Sequence, residues 1–306
     1  MQVHRSVDKL PAFKNSVITI GTFDGVHEGH KKIIRALKKE AERISGESII
    51  ISFHPHPRKI VQPDQPLQLI NSLDEKISLL SATGINHLVI VPFTPEFSNL
   101  TAGEYMEKFL VENFHPHSII IGYDHHFGKG RQGNYKLLED NAERLGFQLI
   151  EIPEYVLNEI AVSSTKIRKA LLESNIDEAN SLLGYDFFFS GLVVHGDKLG
   201  RTLGFPTANL MYHDADKIRP GHGVYAVNVY LEERKYKGML SIGTRPTLSD
   251  PAEKVEVNIF DFDEEIYGRT IRVEVKKFLR PQVKYQTLEL MKEQLGKDKS
   301  RSLEIL

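Results

Sequence analysis

The chain has 306 residues, long enough for two domains that each bury a core, and contains no cysteine, which excludes disulfides, thiolate catalysis and cysteine-ligated metals. Its 39 Lys and Arg against 41 Asp and Glu remove the main electrostatic argument for a nucleic-acid or anionic-membrane surface, while small, locally recognised anions stay within reach. The N-terminal MQVHRSVDKLPAFK lacks the apolar centre of a signal peptide and no apolar run is long enough to span a bilayer, so a cytoplasmic protein is expected.

The run SVITI at 16–20 reads as a buried strand, and GTFDGVHEGH, Gly21 to His30, then turns the chain into a helix over 29–45. His27 and His30 are three residues apart and share a face of the first helical turn, beside backbone N–H groups that favour an anion. Gly21, Gly25 and Gly29 admit close backbone approach, and Asp24 can fix the turn through its own side-chain hydrogen bonds. With Phe23 and Asp24 in register after a strand, the string points to a nucleotide site rather than to a Gly-rich turn with solvated histidines. The next strand, SIIISF, runs into Phe53-His54-Pro55-His56-Pro57. Two prolines in three residues argue there for an extended, stiff loop without helix that can present His54 to a ligand, although an ordinary proline-stiffened turn would look the same.

A helix over 72–82, the strand HLVIVPF and a helix over 102–113 lead to SIIIG and then GYDHHFGKGRQGN, Gly122 to Asn134. That segment combines Asp124, Phe127, Lys129 and Arg131 with glycines after a strand, and reads as a loop for a base or phosphate or as a mobile basic loop. A helix over 134–145 and FQLIEI complete a βα repeat. Continuous Ile/Val runs between amphipathic helices imply a parallel sheet covered on both faces, the doubly wound class that binds nucleotides at the carboxyl ends of its strands.

Ser163-Ser164-Thr165, followed by Ile167 and Arg168, supplies cap hydroxyls and a positive charge at the start of a helical stretch over 165–183. Beyond 184 the segments FFFSGLVVHG, GVYAVNVYLEERKYKGMLSIG, VEVNIFDF and IRVEVKKFL alternate and turn like antiparallel strands of a small barrel, and 284–303 reads as a helix on its outside. GRTLGFPTANL, 200–210, reads as a loop by propensity. Within it Gly204 admits close backbone and Pro206 fixes the approach. Thr207 and Asn209 offer two neutral oxygens at alternate positions, suited to Mg²⁺. Asp261, Asp263, Glu264 and Glu265 read as a solvated acidic turn. The domains expected are 1–184 and 185–306, joined through the helix over 165–183.

GTFDGVHEGH resembles the HxGH nucleotidyltransferase superfamily, and SFHPHP, GYDHHFGKGRQGN and VSSTKIR in that order narrow the resemblance to the flavin adenylyltransferase branch. It implies a reaction of FMN with ATP giving FAD and pyrophosphate, with His27 and His30 at the α- and β-phosphates and Ser164, Thr165 and Arg168 at the leaving group. Gly21, Phe23, Asp24, Gly25 and Ser163 would then line the ATP site, and His54, Pro55, Asp124, Phe127 and Arg131 the flavin. Relatives often carry an aromatic pair or a basic residue where His125 and His126 stand.

PTAN, with SIGTRPTLS at 241–249, VEVNIFDFDEEIYG at 255–268 and FLRP at 278–281, resembles the riboflavin kinase family. Here Gly204 and Pro206 would border ATP, Thr207 and Asn209 would hold Mg²⁺, Arg280 would face the flavin and Glu256 would be the base. The two resemblances together imply a bacterial bifunctional riboflavin kinase and FAD synthetase. Its fold would be an α/β doubly wound, Rossmann-like domain followed by a small antiparallel β-barrel with a C-terminal helix. Riboflavin, FMN and ATP are the partners implied; the oligomeric state is open, a monomer included. The rival readings are a nucleotidyltransferase for another phosphorylated acceptor, against which the PTAN barrel argues, and a non-catalytic flavin-binding regulator, against which the intact His27, His30, Arg168, Thr207, Asn209 and Glu256 argue.

Overall fold

Branched apolar residues buried on both faces make the central strands of the first half, and the chain pairs them in parallel. The computed structural model describes residues 1–152, 162–196, 199–244 and 253–306. The chain divides into two compact units, Met1–Ser163 and Ser164–Leu306. Among the described residues the first unit holds β1 (Gln2–His4), β2 (Val17–Ile20), β3 (Ser48–His54), β4 (His87–Pro92), β5 (Ser118–Gly122) and β6 (Gln148–Ile152). They form one sheet in the order β1-β4-β3-β2-β5-β6, every neighbour parallel.

The period-two alternation sorts this sheet's side chains onto two cores. Ile18, Ile49, Ile51, Val89, Ile119 and Ile121 pack on one face with Tyr105, Phe109 and Leu138. Val17, Ile50, Leu88 and Ile120 pack on the other with Ile34, Leu37 and Ala41 of α1 (Glu28–Arg43) and Leu80. α1 buries Ile34, Leu37 and Ala41 at helical spacing, which is why that stretch lies on the sheet. After β4 the chain crosses from one side of β2 to the other, so the carboxyl ends of β2 and β5 flank the switch point where an open α/β sheet leaves a crevice.

Three local expectations are corrected here. The prolines after β3 do not exclude a helix: Pro57 opens α2 (Pro57–Val61) at a position whose N–H needs no partner, and His56 caps it, its Nδ1 accepting from Arg58 N at 3.1 Å. α3 (Leu73–Ser81) starts on a capping box of Ser72 and Glu75. The helix expected over 102–113, α4, is not α-helical throughout: it runs Ala102–Glu104, π-helical Tyr105–Val111 and Glu112–Phe114, ahead of α5 (Tyr135–Leu145). The single helix over 165–183 is two, α6 (Ser164–Leu172) and α7 (Ile176–Leu183), broken where Ser174 takes φ +61°.

In the second unit β7 (Phe188–Val194), β8 (Ala208–Tyr212), β9 (Gly223–Leu231), β10 (Arg234–Thr244), β11 (Glu253–Ile259) and β12 (Thr270–Arg280) close an antiparallel barrel in the order β10-β11-β8-β7-β12-β9. GRTLGFPTANL is therefore not a loop throughout: α8 (Leu199–Thr202) is a helical turn, and Ala208 and Asn209 are already in β8. α9 (Leu288–Ile305), capped by the Thr287 hydroxyl, packs outside, with Ile305 and Leu306 against Val224, Ala226 and Leu279. α6 and α7 also pack on the barrel. Leu171 O accepts from Gly221 N at 2.9 Å, Ser174 Oγ lies 2.9 Å from Tyr225 Oη, and Asn180 Nδ2 donates to Val275 O at 3.0 Å.

Candidate active sites

The turn from β2 into α1 is built from unusual backbone. Phe23, Gly25 and Val26 have φ of +48°, +91° and +38°, and for the phenylalanine and the β-branched valine that costs about 1–3 kcal/mol each. The surroundings hold it there. Both Phe23 and Val26 are 1% exposed, so their apolar burial opposes relaxation. Asp24 fixes the turn through its side-chain hydrogen bonds, as expected: it accepts from Ile70 N at 3.0 Å and Asn71 N at 3.2 Å, tying the turn to the segment before α3. Lys76 on α3 donates to Thr22 O at 2.7 Å and is itself buried. Burial lowers the Lys76 pKa, and the Asp24 charge acts against that.

His27 is the N-cap of α1, and its Nδ1 accepts from His30 N at 3.3 Å. The two rings stack, centroids 3.7 Å apart and planes at 14°, and Phe23 lies 4.9 Å from His30 on another side. His30 Nδ1 is enclosed without a hydrogen-bond partner among the described residues. Burial first, then the neighbouring His27 and Lys76, push the His30 pKa well below 6.5, so its ring is neutral at pH 7. The turn therefore gathers two stacked imidazoles, a helix N-terminus and the buried Lys76 amine, groups suited to an anion. The sequence reading missed Lys76. A lysine one residue after a capping-box glutamate looks like any solvated helix lysine, and only the tertiary fold buries it.

The other residues assigned to this site are placed as follows. His54 ends β3 exposed, and the His54–Pro55 bond is cis. After β5, Asp124 and Arg131 are exposed, while Phe127 is 5% exposed with its ring stacked on Tyr105 at 4.9 Å. Phe127 thus belongs to the apolar core beneath the loop. Gly21 carries its bare Cα against the Phe23 ring, where an added Cβ would lie 3.1 Å away. Ser163 closes the first unit and Ser164, Thr165 and Arg168 open the second on α6, where Ile167 is fully buried and Arg168 half-buried.

The barrel gathers its assigned residues by register. Asn209 of β8 pairs with Glu256 of β11, and Glu256 pairs on its other side with Ser241 of β10, so the three side chains share one face. Asn209 sits over a glycine: a Cβ on Gly196 would fall 2.1 Å from its Nδ2. Gly204 takes φ +81°, and Pro206 O accepts from Asn258 Nδ2 at 2.6 Å, holding the approach to Thr207. Thr207 borders two clefts. The larger, about 610 Å³, is lined by Glu256, Phe205, Met239 and, from α9, Met291 and Leu295. The smaller, about 230 Å³, is lined by Arg201, Phe262, Glu264 and Tyr267, so part of the acidic turn is cleft wall. Arg280 lines the larger cleft with its guanidinium turned to Asp298. Residues 245–249 of the SIGTRPTLS block lie outside the described residues.

Comparison with known proteins bears on both halves. A sequence model of the FAD synthetase family matches residues 9–166 and one of the riboflavin kinase family residues 183–306. The bifunctional riboflavin kinase/FMN adenylyltransferase of Escherichia coli (strain K12) is 36% identical over 283 residues, covering 92% of this chain and 90% of that protein. That of Bacillus subtilis (strain 168) is 35% identical over 293 residues, covering 94% and 92%. A crystal structure from Streptococcus pneumoniae, described as a macrolide-efflux protein, superposes with a TM-score of 0.88 at 30% identity, covering 98% of this chain and 97% of that one. Among the described residues no helix here is long and apolar enough to cross a membrane.

Proposed function

This chain belongs to the bifunctional riboflavin kinase/FMN adenylyltransferase family, and on that premise we propose which of its residues carry each of the two reactions. Its FAD synthetase domain is N-terminal and its riboflavin kinase domain C-terminal. We place their boundary at 184.

In adenylylation a phosphate oxygen of FMN bonds to the α-phosphorus of ATP while the bond to the β-phosphate oxygen breaks and pyrophosphate leaves. The nucleophile is already anionic, so alignment and charge neutralisation suffice and no base is needed. His27 and His30 receive the α- and β-phosphates at the switch point of the sheet, and Ser164, Thr165 and Arg168 receive the pyrophosphate. The loops carrying His54, Pro55, Asp124 and Arg131 border the flavin.

Riboflavin phosphorylation needs a proton removed, because a neutral primary alcohol attacks the γ-phosphorus of ATP as ADP leaves. Glu256 takes that proton. The observation that carries this reading is the cross-strand pair Asn209–Glu256 beside Thr207, which borders both clefts. The larger cleft, with apolar walls and the base, takes the flavin, and the smaller takes ATP. Thr207 and Asn209 would hold Mg²⁺: their neutral oxygens opposite a carboxylate are a hard donor set, and the space over Gly196 that a Cβ would fill is kept for the Asn209 amide. When bound, the ion would neutralise phosphate charge. ATP as co-substrate supports a cytoplasmic setting.

Incubation with riboflavin, ATP and Mg²⁺ followed by chromatography of the flavins tests this. Wild type yields FMN and FAD. His30→Ala should make FMN normally while FAD formation falls ~10²–10³-fold. Glu256→Gln should lower FMN turnover ~10²–10⁴-fold and leave adenylylation of added FMN unchanged. Equal loss of both activities in folded His30→Ala, or near-wild-type kinase turnover in Glu256→Gln, would retire the respective assignment.

A further inference from the structure

The guanidinium of Arg280 is committed within the protein. Its Nε donates to both carboxylate oxygens of Asp298 at 3.0 Å, its Nη2 donates to Asp298 Oδ2 at 2.7 Å, and its Nη1 donates to Pro281 O at 3.1 Å. Asp298 also accepts from Gln294 Nε2 at 2.9 Å, and its side chain is 4% exposed. Arg301 Nη1 donates to Leu279 O at 3.2 Å, so this turn of α9 is fastened to the end of β12 at several points. Asp298 follows Leu295 by three residues and Met291 by seven, which places all of them on one face of α9. Leu295 and Met291 are, with Leu288 at the helix start, the apolar side chains that α9 puts into the larger cleft, and Arg280 lines the same cleft.

We propose that the Arg280–Asp298 pair is a positioning pair for riboflavin phosphorylation, setting the distance of the α9 wall from Glu256 and thereby the fit of the flavin ring. The inference rests on the reading of the larger cleft as the flavin cleft. A ring held between Met291, Leu295 and the barrel needs that wall at a fixed spacing. The pair supplies it with charge-assisted hydrogen bonds whose geometry a planar guanidinium dictates. Arg280 acts through Asp298, and the flavin meets the apolar wall behind them.

The test uses full-length protein and steady-state phosphorylation of riboflavin by wild type, Asp298→Asn, Arg280→Met and the double variant. Asp298→Asn should raise the KM for riboflavin by roughly 10- to 100-fold, as a displaced wall does, with the KM for ATP and the saturated turnover little changed. The double variant should be no worse than the worse single one, because both lose the same interaction. Met291→Ala keeps the pair and shortens the wall, and should also raise the riboflavin KM alone. FMN adenylylation by each variant reports that the chain is folded.

A folded Asp298→Asn with the wild-type riboflavin KM overturns the proposal, as do additive effects of the two substitutions or an equal rise in both KM values. If Asp298→Asn is recovered only unfolded, an unchanged riboflavin KM in Met291→Ala overturns it. Failure of wild type to saturate with riboflavin would instead sink the reading of the cleft itself.

Discussion

His125 stands beside Asp124 in the loop after β5, and its Nε2 is enclosed without a hydrogen-bond partner among the described residues. Burial, partly offset by Asp124, pushes its pKa down to about 4 from an ordinary value near 6.5. Below pH 6.5 the unfolded chain therefore binds a proton that the native chain refuses until about pH 4, and stability falls as pH falls across that window. The slope is about 1.4 kcal/mol per pH unit and the whole loss at most about 3 kcal/mol. His125→Phe keeps an aromatic ring and removes the titration, so urea unfolding at pH 7 and pH 4.5 should show a smaller acid loss than wild type. An identical pH dependence would mean that His125 is solvated. At this scale the sequence was informative wherever chemistry and spacing coincide, as at His27 and His30. It was uninformative about the partners of Asp24, Lys76 and Phe127, which lie on segments far along the chain.

Strand β8 shows what local pattern could not supply. Pro206 lies just before it, and Ala208 and Asn209 at its start carry little strand preference, so propensity reads a loop. The segment is a strand because the barrel closes only if something pairs β7 with β11. The same need accounts for Gly196: β7 has ended, and the chain must pass within contact of the Asn209 amide. Gly196→Ala should accordingly displace Asn209 and depress FMN formation while FAD formation from added FMN stays intact, measured by the two separate assays. Unchanged kinase turnover would show that Asn209 can yield without cost. Strands β2 to β5 were legible because each carries a continuous apolar run and β6 because Leu149, Ile150 and Ile152 keep it largely apolar, whereas three-residue β1 is too short to carry a pattern. The break at Ser174 was hidden because the amphipathic period runs on through α6 and α7.

For the whole molecule, the alternation of strands and helices followed by barrel strands revealed both architectures, and the motifs after β2 and β5 lie at strands that flank the switch point of the sheet. The division of the chain was less legible, because α6 and α7 look like a linker and yet pack on the barrel. Two fragments decide the matter. Residues 164–306 should fold and make FMN. Residues 185–306 lose the bonds from Leu171, Ser174 and Asn180, each worth about 1 kcal/mol, and should melt several degrees lower while keeping kinase activity. Equal melting temperatures would assign α6 and α7 to the adenylyltransferase half.

The barrel has one further property. β8 joins β11 through Asn209–Glu256 and Ala208–Val257, the shortest joint of the closed cylinder among the described residues. The pair proposed to hold the ion and take the proton is thus also the clasp. Warming that loosens the clasp should disarm the kinase before it exposes the core, so FMN formation assayed on a temperature ramp should be lost below the melting temperature of this half.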